Sequence, residues 1–332
     1  MERVEQLRRW LETTLGSGEF RLARASDDAS FRRYFRIHRG EGQPPLVAMD
    51  APPEKEDCRP FVKIARLFAE AGVNVPAVRA QDFEQGFLLL SDLGETTYLE
   101  ALDADNAGQL YGDALEALLR IQLASRAGIL PEYGRELLER ELGLFPDWYV
   151  ARQLRRELDA RQRETLQKSF SILLANNLAQ PRVFVHRDYH SRNLMACEPR
   201  PGILDFQDAV YGPITYDLVS LLRDAYIAWE EERVIDWAIR YWEMARRAGL
   251  PVAGDFAVFY RDFEWMGAQR QLKVLGIFAR LWYRDGKDAY LKDQPRVMLY
   301  LRRFCGRYRE LAPLARLLDE LEPSETRVGH AS

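Results

Sequence analysis

The apolar positions Val4, Leu7, Leu11 and Leu15 recur at three- and four-residue intervals, so the spacing predicts a helix over 2–15, stopped by Gly16 and Gly18. The period then drops to two. Segments 20–25, 34–38 and 46–51 read as strands, the third ended by Pro52-Pro53. Segment 61–71 returns to the helical period, with Gly72 where a C-terminal cap belongs. Two further strands, 78–81 and 87–90, flank the turn 83–86. After SDLGETTY the helical period dominates. Stretches 97–126 and 135–179 are mostly helical, with Pro131 and Pro146 as interruptions; 182–206 is a short β-rich island, and helices resume from 215 to 321. The polar tail 323–332 is expected to be disordered.

A small sheet lobe over 1–92 followed by a larger helical lobe over 93–322 is an α+β arrangement, and the crevice at such a junction is the expected ligand site. Composition agrees with a folded chain. The 332 residues are 47% hydrophobic and 30% charged, which excludes a disordered polymer. A net charge of −4 lacks the basic footprint of a nucleic-acid binder. No apolar window is long enough for a membrane helix, and the charged N-terminus lacks the core of a signal peptide. Cys58, Cys197 and Cys305 stand far apart, an odd set without metal-ligand spacing, and read as reduced thiols. A cytoplasmic enzyme is the expectation. No signature of oligomeric state is present.

The island PRVFVHRDYHSRNLMACEPRPGILDFQDAVYGP carries the candidate chemistry. Strand 182–185 leads into His186-Arg187-Asp188. Strands 194–196 and 203–206 are joined by CEPRPG and read as a hairpin. Pairing them brings Asn193 and Asp205 to one end. Magnesium takes hard oxygen ligands, usually one or two from protein, and Asn193 and Asp205 supply such oxygens. A carboxylate off the metal, Asp188, is then suited to accept the proton of an attacking hydroxyl. A polar loop capping a hairpin is the bland alternative for each residue taken singly.

His186-Arg187-Asp188, four residues, then Asn193 matches the kinase catalytic loop, and Asp205-Phe206-Gln207 stands where the metal-binding DFG segment belongs. No APE motif follows. HRDYHSRNL with ILDFQDAVYGPITYDL resembles the aminoglycoside phosphotransferase and choline kinase superfamily. FVHRDYHSRNLM, GILDFQDAVYGPITYDLVSLLRDAY and VAMDAPPEKED narrow the likeness to the anomeric amino-sugar kinases of bacterial cell-wall recycling. The resemblance covers roughly 20–320 and implies a bilobal protein-kinase-like fold, ATP and Mg²⁺ as cofactors, and a small amino-sugar acceptor, N-acetylmuramate or N-acetylglucosamine. It also implies a structural role for His186 beneath the loop and for Asp217, whose alternative is a helix N-terminal charge. Asp208 reads equally as a water-mediated metal contact or a solvated acid.

The chain departs from the kinase pattern on its nucleotide side. A lysine on strand three and a glutamate on the next helix normally pair over the phosphates. Here LVAMD puts Met49 at the lysine position and PFVKIARLFAEAG puts Phe61 near the glutamate. The turn SDDASFRRYF has no glycine, so backbone cradling is weaker, and Ser30, Arg32, Arg33 and Lys55 are the candidates for phosphate contact. A solvated strand face is their alternative. The resemblance puts adenine at the lobe junction, where 88–90 is the strand and Ser91-Asp92-Leu93 the hinge; Leu90, Ser91 and Leu93 are the expected contacts, with the Ser91 carbonyl and Leu93 amide as the hydrogen-bonding groups.

For the acceptor, His190 and Arg192, with Tyr189, border the base, while Arg223, Asp224 and Tyr226 follow on a helix leaving the site. The aromatic stripe Trp265, Phe278, Trp282 and Tyr283 reads as core first and sugar surface second. Two other functions fit parts of the sequence. An aminoglycoside kinase would need an acidic pocket. A nucleotide-binding pseudokinase scaffold is favoured by the absent lysine and opposed by the presence of Asp188, Asn193 and Asp205.

Overall fold

The computed structural model describes residues 3–16, 19–26, 31–40 and 42–323. Ser30 and the tail from 324 onward, both subjects of expectations above, lie outside the described residues. The elements begin α1 (Arg3–Leu15), β1 (Arg21–Ser26), β2 (Arg33–His38), β3 (Leu46–Asp50), α2 (Arg59–Glu70), β4 (Val78–Asp82), β5 (Phe87–Ser91), α3 (Tyr98–Ala101) and α4 (Ala107–Leu123). They continue α5 (Arg135–Leu144), α6 (Ala160–Ala179), β6 (Arg182–Val185), β7 (Leu194–Met195), β8 (Gly202–Ile203) and β9 (Val210–Pro213). Helices α7 (Tyr216–Leu222), α8 (Glu231–Arg247), α9 (Phe256–Asp285), α10 (Gln294–Arg307) and α11 (Ala312–Leu321) complete the series. They gather into two compact units, Met1–Ile121 with Arg192–Ala209 and Gln122–Ser191 with Val210–Ser332. The sequence boundary at residue 92 lies inside the first of these.

The first unit is built on an antiparallel sheet of order β1-β2-β3-β5-β4. Alternation along each strand sorts its side chains. Phe35, Ile37, Leu46, Ala48, Phe87 and Leu89 join Leu7 and Leu11 of α1 in one core. Cross-strand partners Tyr34–Met49, Arg36–Val47, Val47–Leu90 and Met49–Leu88 therefore share the opposite face. Gly86 closes the β4–β5 turn at φ +71, and a Cβ there would stand 1.9 Å from the Ala51 carbonyl oxygen, so only glycine fits.

The hairpin β7–β8 belongs to this same unit. Its Ala196 N–H donates to the Thr96 carbonyl at 2.9 Å, and its Ile203 N–H donates to that of Asn74 at 2.8 Å. Three residues past β8, Phe206 sets its ring against Phe61 and Phe68 of α2, with centroids 4.8 and 5.9 Å away.

The second unit is helical around the 30-residue α9, with β6 and β9 as a two-stranded ribbon. Strand β9 went unread because VYGP carries a glycine and a proline, both poor strand formers. At Pro146 the chain does not leave the helix; it widens from α5 into a π-helical stretch over Phe145–Gln153. Trp265 and Phe278 of the aromatic stripe are buried, whereas Trp282 and Tyr283 are 36% and 40% exposed, so the stripe is only half core.

Candidate active site

The sheet face left uncovered by α1 opens onto a cavity of about 560 Å³ lined wholly by the first unit. Its apolar lining is Val47, Phe61, Pro76, Leu90, Leu93, Met195 and Leu204, suited to a flat aromatic ring. Ser91, Asp92, Leu93, Gly94 and Glu95 form one wall, and Arg192, Asn193 and Asp205 another. The Ser91 wall is held firmly: Ser91 Oγ accepts the Ala77 N–H at 2.8 Å, and the Ser91 N–H donates to the Ala77 carbonyl at 2.9 Å. Arg36 clamps the next residues, donating to Asp92 Oδ1 at 3.1 Å, to the Gly94 carbonyl at 2.9 Å and to Glu95. The Asp92 hydrogen bond is the main reason that the Arg36 guanidinium stays above its ordinary value.

Hairpin geometry sets the two candidate oxygen ligands, Asn193 and Asp205, together. The Leu204 N–H donates to the Asn193 carbonyl at 2.9 Å, and the side chains meet with Asn193 Nδ2 3.5 Å from Asp205 Oδ2. Asp205 adopts φ +59, a left-handed conformation unusual for any residue but glycine, and Gln207 Nε2 donates to its Oδ1 at 2.7 Å. The carboxylate remains 39% exposed, open to a ligand. One carboxylate and one amide oxygen on a short hairpin fit the few-ligand protein share of a magnesium site. Among the described residues there is no group of three or more His, Cys, Asp or Glu placed to hold a metal ion, so a metal here would take only the few protein oxygens that magnesium needs.

The second unit carries the loop that follows β6. Asp217 of α7 accepts the His186 N–H at 2.6 Å and the Arg187 N–H at 3.0 Å. Asp224 accepts the N–H of Ser191 and of Tyr226, each at 2.8 Å. Arg187, at φ +81, sends its guanidinium to Glu141 at 2.5 Å. Lys273 reaches the same carboxylate at 2.9 Å and donates to Tyr216 Oη at 2.8 Å, while the Tyr133 hydroxyl donates to Glu141 as well. Burial opposes charge on both Glu141 and Lys273, but their attraction outweighs it, so Glu141 sits below and Lys273 above its ordinary value. Asp188 lies inside this field. Burial pushes its carboxyl up, and Lys273, His190, Arg187 and Arg270 together more than reverse that, leaving it below the usual range and ionised. Asp217 goes the other way, pushed up to about 7 by burial against the lowering effect of its two N–H donors.

The sequence profile of the Phosphotransferase enzyme family matches residues 21–252. The chain belongs to this family. The N-acetylmuramate/N-acetylglucosamine kinase of Neisseria meningitidis serogroup B is 53% identical over 329 residues, 98% of each chain. The protein of that name from Pseudomonas aeruginosa is 51% identical over 329 residues, 96% of this chain and 97% of its own. Two solved structures share the fold. A choline/ethanolamine kinase family protein from Mesorhizobium loti matches with a TM-score of 0.61 at 16% identity, over 95% of this chain and 100% of its own. The ADP-bound aminoglycoside phosphotransferase APH(2'')-Ib matches at 0.58 and 14%, over 89% and 97%. The α+β, protein-kinase-like class expected from the sequence is the one observed.

In this phosphotransferase, Leu90, Ser91, Leu93, Arg192, Asn193 and Asp205 all line the cavity. Met49 is fully enclosed on the same sheet face, and Asp208 is exposed. Arg32 comes within 3.9 Å of Asp205. In the second unit His186 and Asp188 lie on the loop and Asp217 of α7 bonds to its backbone, and the His190 ring meets Tyr226 edge-on, centroids 5.3 Å apart.

Three of the expected site residues are not part of the cavity lining. Arg33 alternates onto the α1 face and pairs with Asp50, which also binds Arg3, so it does not face the cavity. Arg223 is buried, donating to Glu231 at 2.7 Å with Tyr300 and Phe304 rings beside it. Asp224 is buried with both oxygens taken by backbone. Both side chains are thus engaged within the second unit.

Sequence reasoning missed Arg36, Tyr34 and Val47 on the cavity face. The two-residue alternation against the α1 core was the signal for them. It also missed Glu141 and Lys273, whose local sequence is ordinary helix.

Proposed function

We propose that this phosphotransferase uses ATP and Mg²⁺ to phosphorylate the anomeric hydroxyl of N-acetylmuramate or N-acetylglucosamine, yielding ADP and the sugar 1-phosphate, in cytoplasmic recycling of peptidoglycan. The observation that carries the reading is an apolar cavity with a hinge strand on one wall and Asn193 and Asp205 on another, in a chain whose Asp188 stays ionised five residues before Asn193. Half-identity along the whole length to proteins named for these two sugars supports the acceptor.

The Ser91 carbonyl and Leu93 N–H hydrogen-bond the adenine. Asn193 and Asp205 would hold magnesium, which would offset the charge of the ATP phosphates, while ATP itself gives up the phosphoryl group and leaves as ADP. Asp188 accepts the hydroxyl proton on a carboxylate oxygen. An anomeric hydroxyl is more acidic than an ordinary alcohol, so a base held at low pKa suffices. Asp217 and Asp224 keep that base in place through the loop backbone.

Incubation with Mg·ATP and, in turn, N-acetylmuramate, N-acetylglucosamine and kanamycin tests the reading, with the product linkage read by phosphorus and proton NMR. An α- or β-1-phosphate of an amino sugar is expected, and Asp188→Asn is expected to lower kcat at least ~10³-fold while ATP still binds. Phosphorylated kanamycin alone, or a 6-phosphate, would refute the acceptor. Unreduced kcat in Asp188→Asn would refute the base.

A further inference from the structure

The lysine and glutamate that pair over the phosphates in kinases have no counterpart at their usual places in this chain. Met49 is uncharged and enclosed, and Phe61 of α2 packs on Phe206. The phosphate charge of a bound nucleotide still calls for a fixed cation. Arg36 is engaged by Asp92, Gly94 and Glu95 at the hinge, and Arg33 stands on the far sheet face with Asp50.

Arg32 is placed differently. Register pairs Arg33 with Asp50 and Tyr34 with Met49, so Arg32 lies one residue beyond the paired end of β2, at the end of the sheet where the Met49-Asp50 segment finishes. Its side chain is only 10% exposed, with Nη2 donating to Glu56 Oε2 at 3.5 Å and Nη1 3.9 Å from Asp205 Oδ1. Glu56 lies in the connection between β3 and α2, in a turn closed by the Lys55 and Glu56 N–H groups on the Pro52 carbonyl at 2.8 and 2.9 Å. The neighbouring pair repeats the clasp: the Lys55 ammonium sits 4.7 Å above the Phe31 ring. Two successive contacts thus hold the start of β2 against the β3–α2 connection, and Glu56 together with the Tyr34 hydroxyl holds the guanidinium with Nη1 toward the proposed metal ligand.

We propose that Arg32, anchored by Glu56, is the phosphate-binding cation of this enzyme and that this pair stands in for the absent strand lysine and helix glutamate. The inference rests on the reading of the cavity as an ATP site. An arginine can do this from the neighbouring strand because its planar fork serves two acceptors at once, Glu56 through Nη2 and a phosphate oxygen through Nη1. Asp205 balances that nitrogen while no nucleotide is bound. With a nucleotide bound, a phosphate oxygen would take the place of Asp205 as the acceptor for Nη1. A single-point ammonium at residue 32 would have to leave Glu56 to reach phosphate.

Calorimetric titration of Mg·ATP, Mg·ADP and AMP into the full-length protein tests the assignment, with Arg32→Met, Arg32→Lys and Glu56→Gln beside the unsubstituted chain. Arg32→Met is expected to lose ~10–100-fold in affinity for ATP and ADP and less than ~2-fold for AMP. Arg32→Lys recovers part of the loss, and Glu56→Gln shows a smaller loss with the same ATP-over-AMP pattern. Unchanged ATP affinity in Arg32→Met overturns the inference alone. So does an equal loss for ATP and AMP, which would mean a damaged cavity rather than a missing phosphate contact. Absence of ATP binding by the unsubstituted protein overturns the ATP-site reading and this inference with it.

Discussion

Both ends of the loop that carries Asp188 are tied to buried carboxylates, Asp217 at His186 and Arg187 and Asp224 at Ser191. Backbone N–H donors to a carboxylate are strong and directional, so these two residues fix the loop around Asp188 through its backbone. The spacing of His186, Arg187, Asp188 and Asn193 was legible because it is local in sequence. The Glu141–Arg187–Lys273 network was not, since its members come from separate helices and only folding brings them together.

Asp217 gives a pH prediction. Its folded pKa, about 7, lies above the ordinary carboxyl value near ~3.9, so between those pH values the folded chain keeps a proton that the unfolded chain releases. The stabilisation linked to that proton is full below pH ~4, fades as pH rises toward about 7, and is gone above it; on the order of 4 kcal/mol is its ceiling. The denaturant midpoint of wild type minus that of Asp217→Asn should therefore fall steadily as pH rises from 4 to 8. A difference independent of pH would show that residue 217 does not titrate in this window.

At the scale of elements, strand alternation does the sorting. One face of β2, β3 and β5 feeds the α1 core and the other the cavity, which separates Arg33 from Arg36 although both look alike in RYFRIH. Alternation was readable from the sequence, but which face α1 would cover was not, because that depends on how helix and sheet pack. The hairpin β7–β8 makes the second element-level contact with the hinge. At Gly202 an added Cβ would meet Cys197 Sγ at 2.7 Å, Leu93 Cδ1 at 3.0 Å and Met195 Cβ at 3.1 Å. Gly202→Val should then push the hairpin from the hinge, lowering stability by about 1–3 kcal/mol and raising KM for ATP more than it lowers kcat. Thermal unfolding and steady-state kinetics check this, and an unchanged KM would show that the hinge does not depend on hairpin contact.

For the whole molecule, the consequence lies in which stretches of chain share a unit. A boundary at residue 92 divides the sequence where the pattern changes from strands to helices. The first compact unit instead runs to Ile121 and takes back Arg192–Ala209, some seventy residues later. Long-range return of this kind leaves no periodic trace in sequence; the backbone hydrogen bonds of Ala196 to Thr96 and Ile203 to Asn74 make it. Every residue lining the cavity belongs to that unit. A ligand consisting of adenosine and one phosphate should accordingly stabilise that unit by itself, by about 2.7 kcal/mol at a hundred times its Kd. Hydrogen exchange with saturating AMP is expected to slow at 46–50, 87–95 and 193–205, and to leave α8, α10 and α11 unchanged. Protection confined to the helices of the second unit would move the adenine site out of this cavity, and with it the nucleotide half of the proposed reaction.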